Sequence, residues 1–501
     1  MELSITEQIT AARKHREKLL ADKNRPGFHF AIPEDMGLPG DPNGAFFANG
    51  RYHLMYLYHC ESDGFRYGHI SSIDLLHWRW HPDALIPDEF DGGIFSGGAF
   101  VDDDGTAYIT YWGLQKEGVG KGQGGIRIAF SRDIENHYEK WTKMPEYAVE
   151  SDTWGVTNTS DGFIGSADPS NIWKQDGTYY MQTGNLCVLN LFRDKENAPE
   201  KYLGDFTELF SSNDLKSWTH LGKFYSRRRD NHWTDETEDD MCPSFLPLPD
   251  GKNSGKPSGK YLQLFIAHNK GTQYYIGTYD KVNNRFIPER HGRMSNVDNC
   301  FFAPEAVMTP DGRQVMWAWM TDNPSGGWDI NLEREYGWSG VYSFPRSLWL
   351  NGDGQLGMAP IDELDRIKYN HTYDLSKLSG TSCAIHVVFG SVAGNGIKVR
   401  CSADGEEFTR ISYNENKKLL LCDMSKSGKQ YNKTETMPFE LKNGEKLDFT
   451  ILIDNSVIEI FLNDRQAISR RVYPDPESRK IILEGDVLLA EGWEIMPTNM
   501  F

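Results

Sequence analysis

The chain repeats one short pattern five times, and this repeat constrains its fold more than any other feature of the sequence. In each case a glycine precedes a run of aromatic and aliphatic residues. The five runs are GRYHLMYLYH from Gly50, GTAYITYWG from Gly105, GTYYMQTGN from Gly177, GKYLQLFIAH from Gly259 and GRQVMWAWM from Gly312. A glycine before such a run is typical of a tight turn that leads into a β-strand. Five units of this kind predict a five-bladed β-propeller with four short strands in each blade.

A second position recurs in the same five units, nine residues before a glycine. It is occupied by Asp41, Ser96, Asp168, Cys242 and Ala303, and proline follows four of these five residues. In the fourth unit the glycine in question is Gly251, because the insertion KNSGKPSG lengthens the turn. The first strand of each propeller blade lines the central axis, so equivalent positions of different blades converge at one mouth. The repeat therefore predicts that Asp41 and Asp168 face each other across that mouth.

Two other segments flank the propeller. The N-terminal residues predict one helix over residues 4 to 22, which ends near Pro26. Beyond residue 370, closely spaced strands such as AIHVVFG, KKLLLCDM, LDFTILIDNSVIEIFLND and QAISRRVYP favour a second, all-β domain of the sandwich type. We therefore expect an all-β protein with an N-terminal helical extension over residues 1–25, a five-bladed β-propeller over 26–365 and a C-terminal β-sandwich over 366–501.

Composition narrows the possible partners and the location. The formal net charge of −19 argues against nucleic acid, because phosphate binding requires a basic surface, and it disfavours an anionic membrane. Seven cysteines without a C-x-x-C spacing indicate buried thiols, and the N-terminus has no apolar core of the signal-peptide type, so we expect a cytoplasmic protein. His69 and His268 lack the paired spacing of metal ligands. We expect a neutral partner, with neither a cofactor nor a metal.

A set of motifs follows in order along the chain. They are DPNG at residues 41–44, YGHISSIDLLHW, FSGGAFVDDDG, FFAPEAVMTPDGRQVMWAWM, GWSGVYSFPRSLWL and, near the C-terminus, IDNSVIEIFLNDRQAISRRVYP. This ordered set resembles the landmarks of glycoside hydrolase family 32, the invertase, fructanase and β-fructofuranosidase group. The resemblance implies a retaining glycosidase that uses two carboxylates to cleave β-fructofuranosidic bonds of a small carbohydrate.

The resemblance also assigns catalytic roles. Asp41 corresponds to the nucleophile, and Asp168, in SADPS, corresponds to the Asp of the family's Arg-Asp-Pro motif, which hydrogen-bonds ring hydroxyls. The Glu-Cys-Pro motif that supplies the acid/base is altered, because Met241 stands where Glu is expected. The acidic run just upstream offers two alternatives for the acid/base, Glu238, which has the longer reach, and Asp239.

Substrate-binding positions are partly kept and partly changed. We assign substrate binding to Asn43, Tyr67, Phe95, Ser96, Trp112 and Glu305, of which Phe95 and Ser96 match the family's substrate-lining Phe-Ser pair. Aromatic rings can stack on sugar faces, and Glu305 braces the site or binds sugar. The family's Asn, Gln, Arg and Trp are replaced at Gly40, Leu57, Ala167 and Tyr67. The sequence therefore predicts the reaction type better than the identity of the sugar.

Three classes of function remain open from the sequence. The first, which we expect, is an exo-acting hydrolase of sucrose, fructo-oligosaccharides or fructans. The second is a fructosyltransferase of the type that forms difructose anhydrides, in which a sugar hydroxyl replaces water at the covalent intermediate. The third is a non-catalytic sugar-binding propeller, which requires that no carboxylate reaches the acid position.

Overall fold

The computed structural model of the protein describes residues 4–32, 38–60, 64–89, 91–115, 124–228, 239–268, 270–295, 298, 300–322, 338–428 and 433–499. The chain forms two compact units. One comprises residues 39–319 and 345–357, and the other comprises residues 1–38, 320–344 and 358–501. The domain boundaries expected at residues 25 and 365 stay a prediction.

The first unit holds the predicted blades. The first blade pairs four strands in chain order, β1 (Leu38–Ala48), β2 (Arg51–Cys60), β3 (Gly64–Ser72) and β4 (Trp78–Leu85). The second blade consists of β5 (Asp91–Phe95), β6 (Ala99–Val101), β7 (Ala107–Gln115), β8 (Gly125–Ser131), β9 (Thr142–Lys143) and β10 (Val149–Glu150). A separate hairpin follows, made of β11 (Val156–Thr159) and β12 (Gly162–Gly165).

The remaining three blades follow the same plan. The third consists of β13 (Ala167–Pro169), β14 (Trp173–Gln175), β15 (Thr178–Gly184), β16 (Asp205–Ser212) and β17 (Thr219–Arg227). The fourth consists of β18 (Met241–Pro249), β19 (Pro257–Ala267), β20 (Gly271–Asp280) and β21 (Arg285–Arg293). The fifth is built on β22 (Phe302–Met308), β23 (Gln314–Met320), β25 (Arg346–Leu350) and β26 (Leu356–Pro360), while the short β24 (Val341–Tyr342) belongs to the other unit. The five-bladed propeller is confirmed.

The turn glycines explain why the repeat is visible in the sequence. All five glycines that open the repeated runs have φ angles between 74° and 85°, a region that side chains with a Cβ rarely adopt. In the first and third blades the preceding residue is left-handed too, with φ of 47° at Asn49 and 50° at Asp176. Two successive left-handed residues make the turn whose twist matches a two-residue β-hairpin. Each glycine therefore fixes where the second strand of its blade begins.

The inner strands of three blades share an irregularity at the second repeated position. Asp168, Cys242 and Ala303 are left-handed, with φ of 34°, 48° and 48°. The pairing register shifts at the same three places, between Ala167 and Pro169, between Met241 and Ser244 and between Phe302 and Glu305. A bulge inserts an extra residue and re-aims its side chain relative to the sheet. The nine-residue spacing thus marks a structural feature as well as a candidate site.

The second unit contains the predicted helix and a β-sandwich. Helix α1 (Ile5–Ala21) begins with a capping box between Ser4 and Glu7. The sandwich strands are β27 (Lys368–Thr372), β28 (Ser382–Phe389), β29 (Gly396–Cys401), β30 (Phe408–Asn414), β31 (Leu419–Lys426), β32 (Thr434–Pro438), β33 (Leu447–Asp454), β34 (Val457–Leu462), β35 (Gln466–Arg471), β36 (Lys480–Glu484) and β37 (Val487–Ile495). They form a six-stranded sheet in the order β27-β37-β28-β33-β34-β35 and a five-stranded sheet in the order β32-β31-β30-β29-β36. Side chains such as Ile385, Ile411 and Phe449 are fully buried in one hydrophobic core, as the alternating strands predict.

Short helical turns complete the secondary structure. They are the 3-10 turns Ile134–Asn136, Glu200–Tyr202, Asp362–Arg366 and Leu375–Lys377 and the π turn Val188–Phe192. Within the residues that the structure describes, no helix is long and apolar enough to cross a membrane.

A buried carboxylate fixes the segment that follows α1 in the second unit. Asp454, at the end of β33, accepts hydrogen bonds from the backbone N–H groups of Gly27, Phe28 and His29 at 2.6, 2.8 and 2.8 Å. The ring of His29 also bonds to Asp454, through Nδ1 at 2.9 Å, and to Glu459, through Nε2 at 3.2 Å. Burial alone lowers the pKa of His29, but the two carboxylates outweigh it, so that its pKa is raised. Three backbone donors and one imidazole therefore depend on Asp454.

Candidate active site

Two carboxylates meet at the centre of the propeller, on one cysteine. Asp41 lies on β1 and Asp168 lies on β13, and the two residues are only 8% and 6% exposed. The Sγ atom of Cys242 is 3.6 Å from Oδ2 of Asp41 and 3.2 Å from Oδ2 of Asp168. The backbone N–H of Cys242 also donates to Asp168, at 3.3 Å. The structure therefore brings together three of the five residues that share the repeated position.

The fourth of these residues, Ser96, completes the surroundings of Asp41. Its hydroxyl donates a hydrogen bond to Oδ2 of Asp41. The side-chain amide of Asn43 makes two hydrogen bonds nearby. Its Nδ2 donates to the carbonyl oxygen of Asp41 at 2.9 Å, and its Oδ1 accepts from the backbone N–H of Gly97 at 3.1 Å. Both amide atoms of Asn43 are thus engaged inside the protein, which indicates that it positions Asp41. Its predicted contact with substrate stays a prediction.

The close approach of the two carboxylates changes how they titrate. Burial raises the pKa of Asp41, although hydrogen bonds from Ser96 and Cys242 and the charge of His268 oppose the shift. Burial and repulsion from Asp41 together raise the pKa of Asp168 to about 7. Two buried carboxylates in contact with the same group cannot both ionise at no cost. Asp168 therefore holds a proton through part of the neutral range, and while it does so its charge does not oppose ionisation of Asp41.

Of the acidic run predicted to supply the acid/base, the structure describes the residues from Asp239 onward. Glu238 lies outside the described residues, so its assignment stays a prediction. Asp239 is described, and its Oδ2 accepts hydrogen bonds from the backbone N–H of His268 at 3.1 Å and from its Nδ1 at 2.5 Å. Met241, where the motif has Glu, is buried, and a Cβ added at Gly184 would lie 2.8 Å from its Sδ. Met241 therefore fills the inner position with an apolar side chain.

Glu305 connects the first and fifth blades. From β22 its Oε1 accepts a hydrogen bond from the backbone N–H of Ala45 on β1 at 2.6 Å, and the residue is only 5% exposed. Burial raises the pKa of Glu305 to about 8, and the N–H of Ala45 opposes this shift only in part. Of the two roles expected from the sequence, bracing the site or binding sugar, the observed hydrogen bond supports bracing.

This pKa leads to a prediction about stability. Because the folded state holds the Glu305 proton more tightly than the unfolded chain, stability falls as pH rises from the unfolded pKa to about 8. The substitution Glu305→Gln keeps an oxygen for Ala45 and cannot ionise. We expect the variant to unfold at a higher temperature than the wild type at about pH 9, with the difference vanishing near pH 5. Thermal unfolding across this range measures it, and an equal difference at both ends would contradict the assignment.

Comparison with known proteins identifies the fold and the family. Residues 29–360 match the profile described as "Glycosyl hydrolases family 32 N-terminal domain", and residues 362–487 match "Glycosyl hydrolases family 32 C terminal". The chain belongs to glycosyl hydrolase family 32. The resemblance noted from the motifs is confirmed, and as a member of this family the protein is a glycosidase.

Individual relatives span nearly the whole chain. A sucrose-6-phosphate hydrolase of Zymomonas mobilis subsp. mobilis is 27% identical over 97% of this chain and 93% of its own length. A fructan 6-exohydrolase of Beta vulgaris is 24% identical over 90% of this chain and 82% of its own length. The crystal structure of fructan 1-exohydrolase IIa from Cichorium intybus superimposes with a TM-score of 0.77 at 19% identity, covering 95% of this chain and 98% of that one. This last similarity shows the shared propeller and sandwich fold.

An aromatic wall lies beside Asp41 in this family 32 protein. The ring of Phe95 is 5.7 Å from that of Trp112 and 4.8 Å from that of Phe65, and Trp112 lies 5.2 Å from Trp154 in an edge-to-face arrangement. Trp154 is 43% exposed, whereas Trp112 is buried. Of these rings, Trp154 is therefore the most accessible to a sugar. Phe65 was not singled out from the sequence, since aromatic residues are frequent throughout the chain.

Tyr67 has a different surrounding from the one expected of a stacking residue. Its side chain is fully buried and its hydroxyl donates to the carbonyl oxygen of Phe95 at 2.7 Å. Burial and the negative charges of Asp168, Asp41 and Glu305 raise the pKa of Tyr67 well above its ordinary value. The hydrogen bond makes Tyr67 a support for Phe95, and its predicted role in binding substrate stays a prediction.

The positions that differ from the family pattern are filled with apolar atoms. A Cβ added at Gly40 would lie 3.2 Å from the buried side chain of Leu57, so Leu57 occupies the space that a larger residue at 40 requires. Ala167 is fully buried, and a Cβ added at Gly155 would lie 2.9 Å from its own Cβ. Gly40, Leu57 and Ala167 thus stand where the family pattern has Asn, Gln and Arg, and apolar atoms pack around them. This part of the pocket has no polar side chain from these three positions.

In the part of the chain that the structure describes, no group of three or more His, Cys, Asp and Glu side chains is arranged to hold a metal ion. His69, buried on β3, is held by His53, whose Nδ1 lies 2.9 Å from its Nε2, and burial together with the neighbouring histidines keeps its pKa well below its ordinary value. His69 is therefore a neutral residue of the blade core.

Proposed function

We propose that this family 32 glycosidase is a retaining hydrolase of β-fructofuranosidic bonds in sucrose, fructo-oligosaccharides or fructans. The observation that carries the proposal is the contact of two buried carboxylates, Asp41 and Asp168, with the same cysteine at the centre of the propeller. The relatives named sucrose-6-phosphate hydrolase and fructan 6-exohydrolase support a fructoside as the substrate. The exclusion of nucleic-acid partners and the cytoplasmic location remain inferences from charge and from buried thiols such as Cys187 and Cys422.

In the proposed mechanism Asp41 attacks the anomeric carbon and forms a covalent fructosyl intermediate, while an acid protonates the leaving oxygen. Water then attacks the same carbon, the bond to Asp41 breaks, and the conjugate base of the acid accepts the proton of the water. Ser96 donates to Asp41 and holds the attacking oxygen in place. Asp168 hydrogen-bonds ring hydroxyls, and these bonds strengthen as positive charge develops on the ring. The enzyme therefore binds the transition state more tightly than the substrate.

A panel of substrates tests the proposal. Sucrose, kestose, inulin and levan are incubated with the protein, and the products are separated by chromatography while the anomeric configuration of the first product is followed by NMR. Release of β-fructofuranose as the first product supports a retaining hydrolase. Oligosaccharides or difructose anhydrides without free fructose would identify a transferase, and binding without turnover would identify a sugar-binding propeller.

The apolar repacking predicts an order of preference within this panel. Gly40, Leu57 and Ala167 offer no polar side chain, and a buried hydroxyl without a partner costs about 1 to 3 kcal/mol. We therefore expect kcat/KM for sucrose to lie about 10-fold or more below that for a longer or differently linked fructoside. A kcat/KM for sucrose equal to the highest value of the panel would contradict this expectation.

A further inference from the structure

The inner position for the acid/base residue holds a side chain that has no proton to give. Met241 is the first residue of β18, and its buried thioether packs against Gly184. Asp240, the next residue upstream, is 1% exposed and accepts a hydrogen bond from the hydroxyl of Tyr225 at 2.6 Å. Glu305 is also buried, and its Oε1 accepts the backbone N–H of Ala45. Met241 has no proton to give, and the two nearby carboxyl groups are buried and hydrogen-bonded within the protein.

A histidine, His268, lies near this position, immediately after the end of the neighbouring strand β19. Met241 pairs with Ile266 in the antiparallel ladder of β18 and β19, so Asp239, two residues before Met241, lies opposite His268, two residues after Ile266. This register explains why Oδ2 of Asp239 accepts both the backbone N–H and the ring Nδ1 of His268. The sequence motif alone did not reveal the pair, because the two residues are 29 positions apart.

The hydrogen bond determines which nitrogen of His268 exchanges protons. A carboxylate only accepts hydrogen bonds, so Nδ1 carries a hydrogen and Nε2 is the atom that titrates. The side chain of His268 is 47% exposed while that of Asp239 is 12% exposed, and Nε2 has no hydrogen-bond partner among the described residues. Asp239 is thus the buried orienting group, and Nε2 of His268 is the ring atom left to exchange a proton.

His268 also lies within electrostatic range of the two central carboxylates. The hydrogen bond that His268 donates to Asp239 raises the pKa of His268, burial opposes this, and the charges of Asp239, Asp168 and Asp41 add to the rise. In return, the charge of His268 lowers the pKa values of Asp41 and Asp168. The other described group packed on the ring is Phe302, whose centroid is 5.9 Å away and which carries no charge. A protonated His268 therefore favours the ionised form of Asp41.

We infer that His268, oriented by Asp239, is the general acid/base of this enzyme in place of the glutamate that Met241 has replaced. The inference rests on the proposed function. In the first step the C–O bond between the anomeric carbon and the leaving oxygen breaks, the bond to Asp41 forms, and Nε2–H of His268 gives its proton to the leaving oxygen. In the second step the neutral Nε2 takes a proton from the attacking water, the bond to Asp41 breaks, and the enzyme returns to its starting state.

The test compares substrates that do and do not need a proton on the leaving group. For His268→Ala we expect kcat/KM on the best natural fructoside to fall by about 10²- to 10⁴-fold, whereas kcat/KM on β-fructofuranosyl fluoride changes by less than about threefold. With β-fructofuranosyl fluoride, whose intermediate still forms, added azide should raise kcat and give fructosyl azide of retained configuration. Asp239→Asn should move the basic limb of the pH profile to lower pH, because His268 loses the charge that stabilises its protonated form.

Two further variants make the result decisive. His220→Ala is the matched control, since His220 forms another His-carboxylate pair of the same unit, with Glu208 at 2.8 Å, and should leave both activities unchanged. His268→Gln replaces His268→Ala if the latter does not fold, because Gln still donates to Asp239 without titrating. Loss of both activities alike in the His268 variants, wild-type activity in them, or the leaving-group pattern in Glu238→Ala instead would each overturn the role of His268. A wild type inactive on every fructoside would overturn the proposed function as well.

Discussion

Asp41→Ala is expected to reduce turnover of every fructoside by about 10⁴-fold or more, because the substitution removes the atom that forms the covalent bond to the sugar. The loss should be as large for β-fructofuranosyl fluoride as for natural substrates, since departure of fluoride still requires a nucleophile. This equality separates Asp41 from any residue that acts by protonation. Steady-state kinetics on both kinds of substrate measure it, and more than about a hundredth of wild-type activity would contradict the assignment.

The configuration of the product formed with azide gives a second test of Asp41→Ala. Azide that enters the space left by Asp41 attacks the anomeric carbon from that side and gives fructosyl azide of inverted configuration, which NMR distinguishes from the retained product. The fold should survive, because burial raises the pKa of Asp41 and its charge therefore costs stability. We expect Asp41→Ala to unfold at the same temperature as the wild type or higher. A lower unfolding temperature would mean that part of the lost activity comes from destabilisation of the fold.

Asp454→Ala is expected to destabilise the second unit by about 3 to 5 kcal/mol, the cost of removing one member of a buried, hydrogen-bonded ion pair. The substitution leaves the backbone N–H groups of Gly27, Phe28 and His29 without their acceptor, as well as the ring of His29. Thermal or urea unfolding of the full chain measures the effect. Retention of wild-type stability would show that this carboxylate does not anchor the segment.

The chain offers a matched control on the same strand. Asp448, also on β33, bonds to His386 at 2.9 Å, but its side chain is 49% exposed. Asp448→Ala should therefore cost no more than about 1 kcal/mol. A pH series adds a second readout for Asp454. Since the pKa of His29 is raised, its contribution to stability is complete below the unfolded value and is lost as pH rises through the folded value. Asp454→Ala should weaken this dependence.

Sequence reasoning succeeded where one local signal repeats. The turn before the second strand of each blade requires a glycine with positive φ. Gly50 and its four equivalents therefore mark the five blades in the sequence. Counting back from them located Asp41 and Asp168, because a fixed hairpin length places equivalent residues at equivalent depths. The sandwich was predicted from strand-like runs at close spacing beyond residue 370, such as AIHVVFG and KKLLLCDM.

The parts that the sequence did not reveal depend on contacts between distant residues. Nothing local marks Glu305 as the partner of the Ala45 N–H, 260 positions away. Nothing local shows that the side-chain amide of Asn43 bonds to the carbonyl oxygen of Asp41 and to the N–H of Gly97. His268 was weighed only as a metal ligand, since its relation to Asp239 requires the register of β18 and β19. Such pairings are fixed by tertiary packing, which a single sequence does not record.

The contact between Gly40 and Leu57 also constrains how this enzyme can change over evolutionary time. A side chain at position 40 needs Leu57 to move, since the distance to an added Cβ is only 3.2 Å. Crowding of this kind costs about 1 to 3 kcal/mol, and a polar residue at position 57 alone would be buried without a partner at a similar cost. Each single substitution is therefore expected to destabilise the fold. A side chain at position 40 thus calls for a compensating change at position 57, so we expect the two positions to vary together.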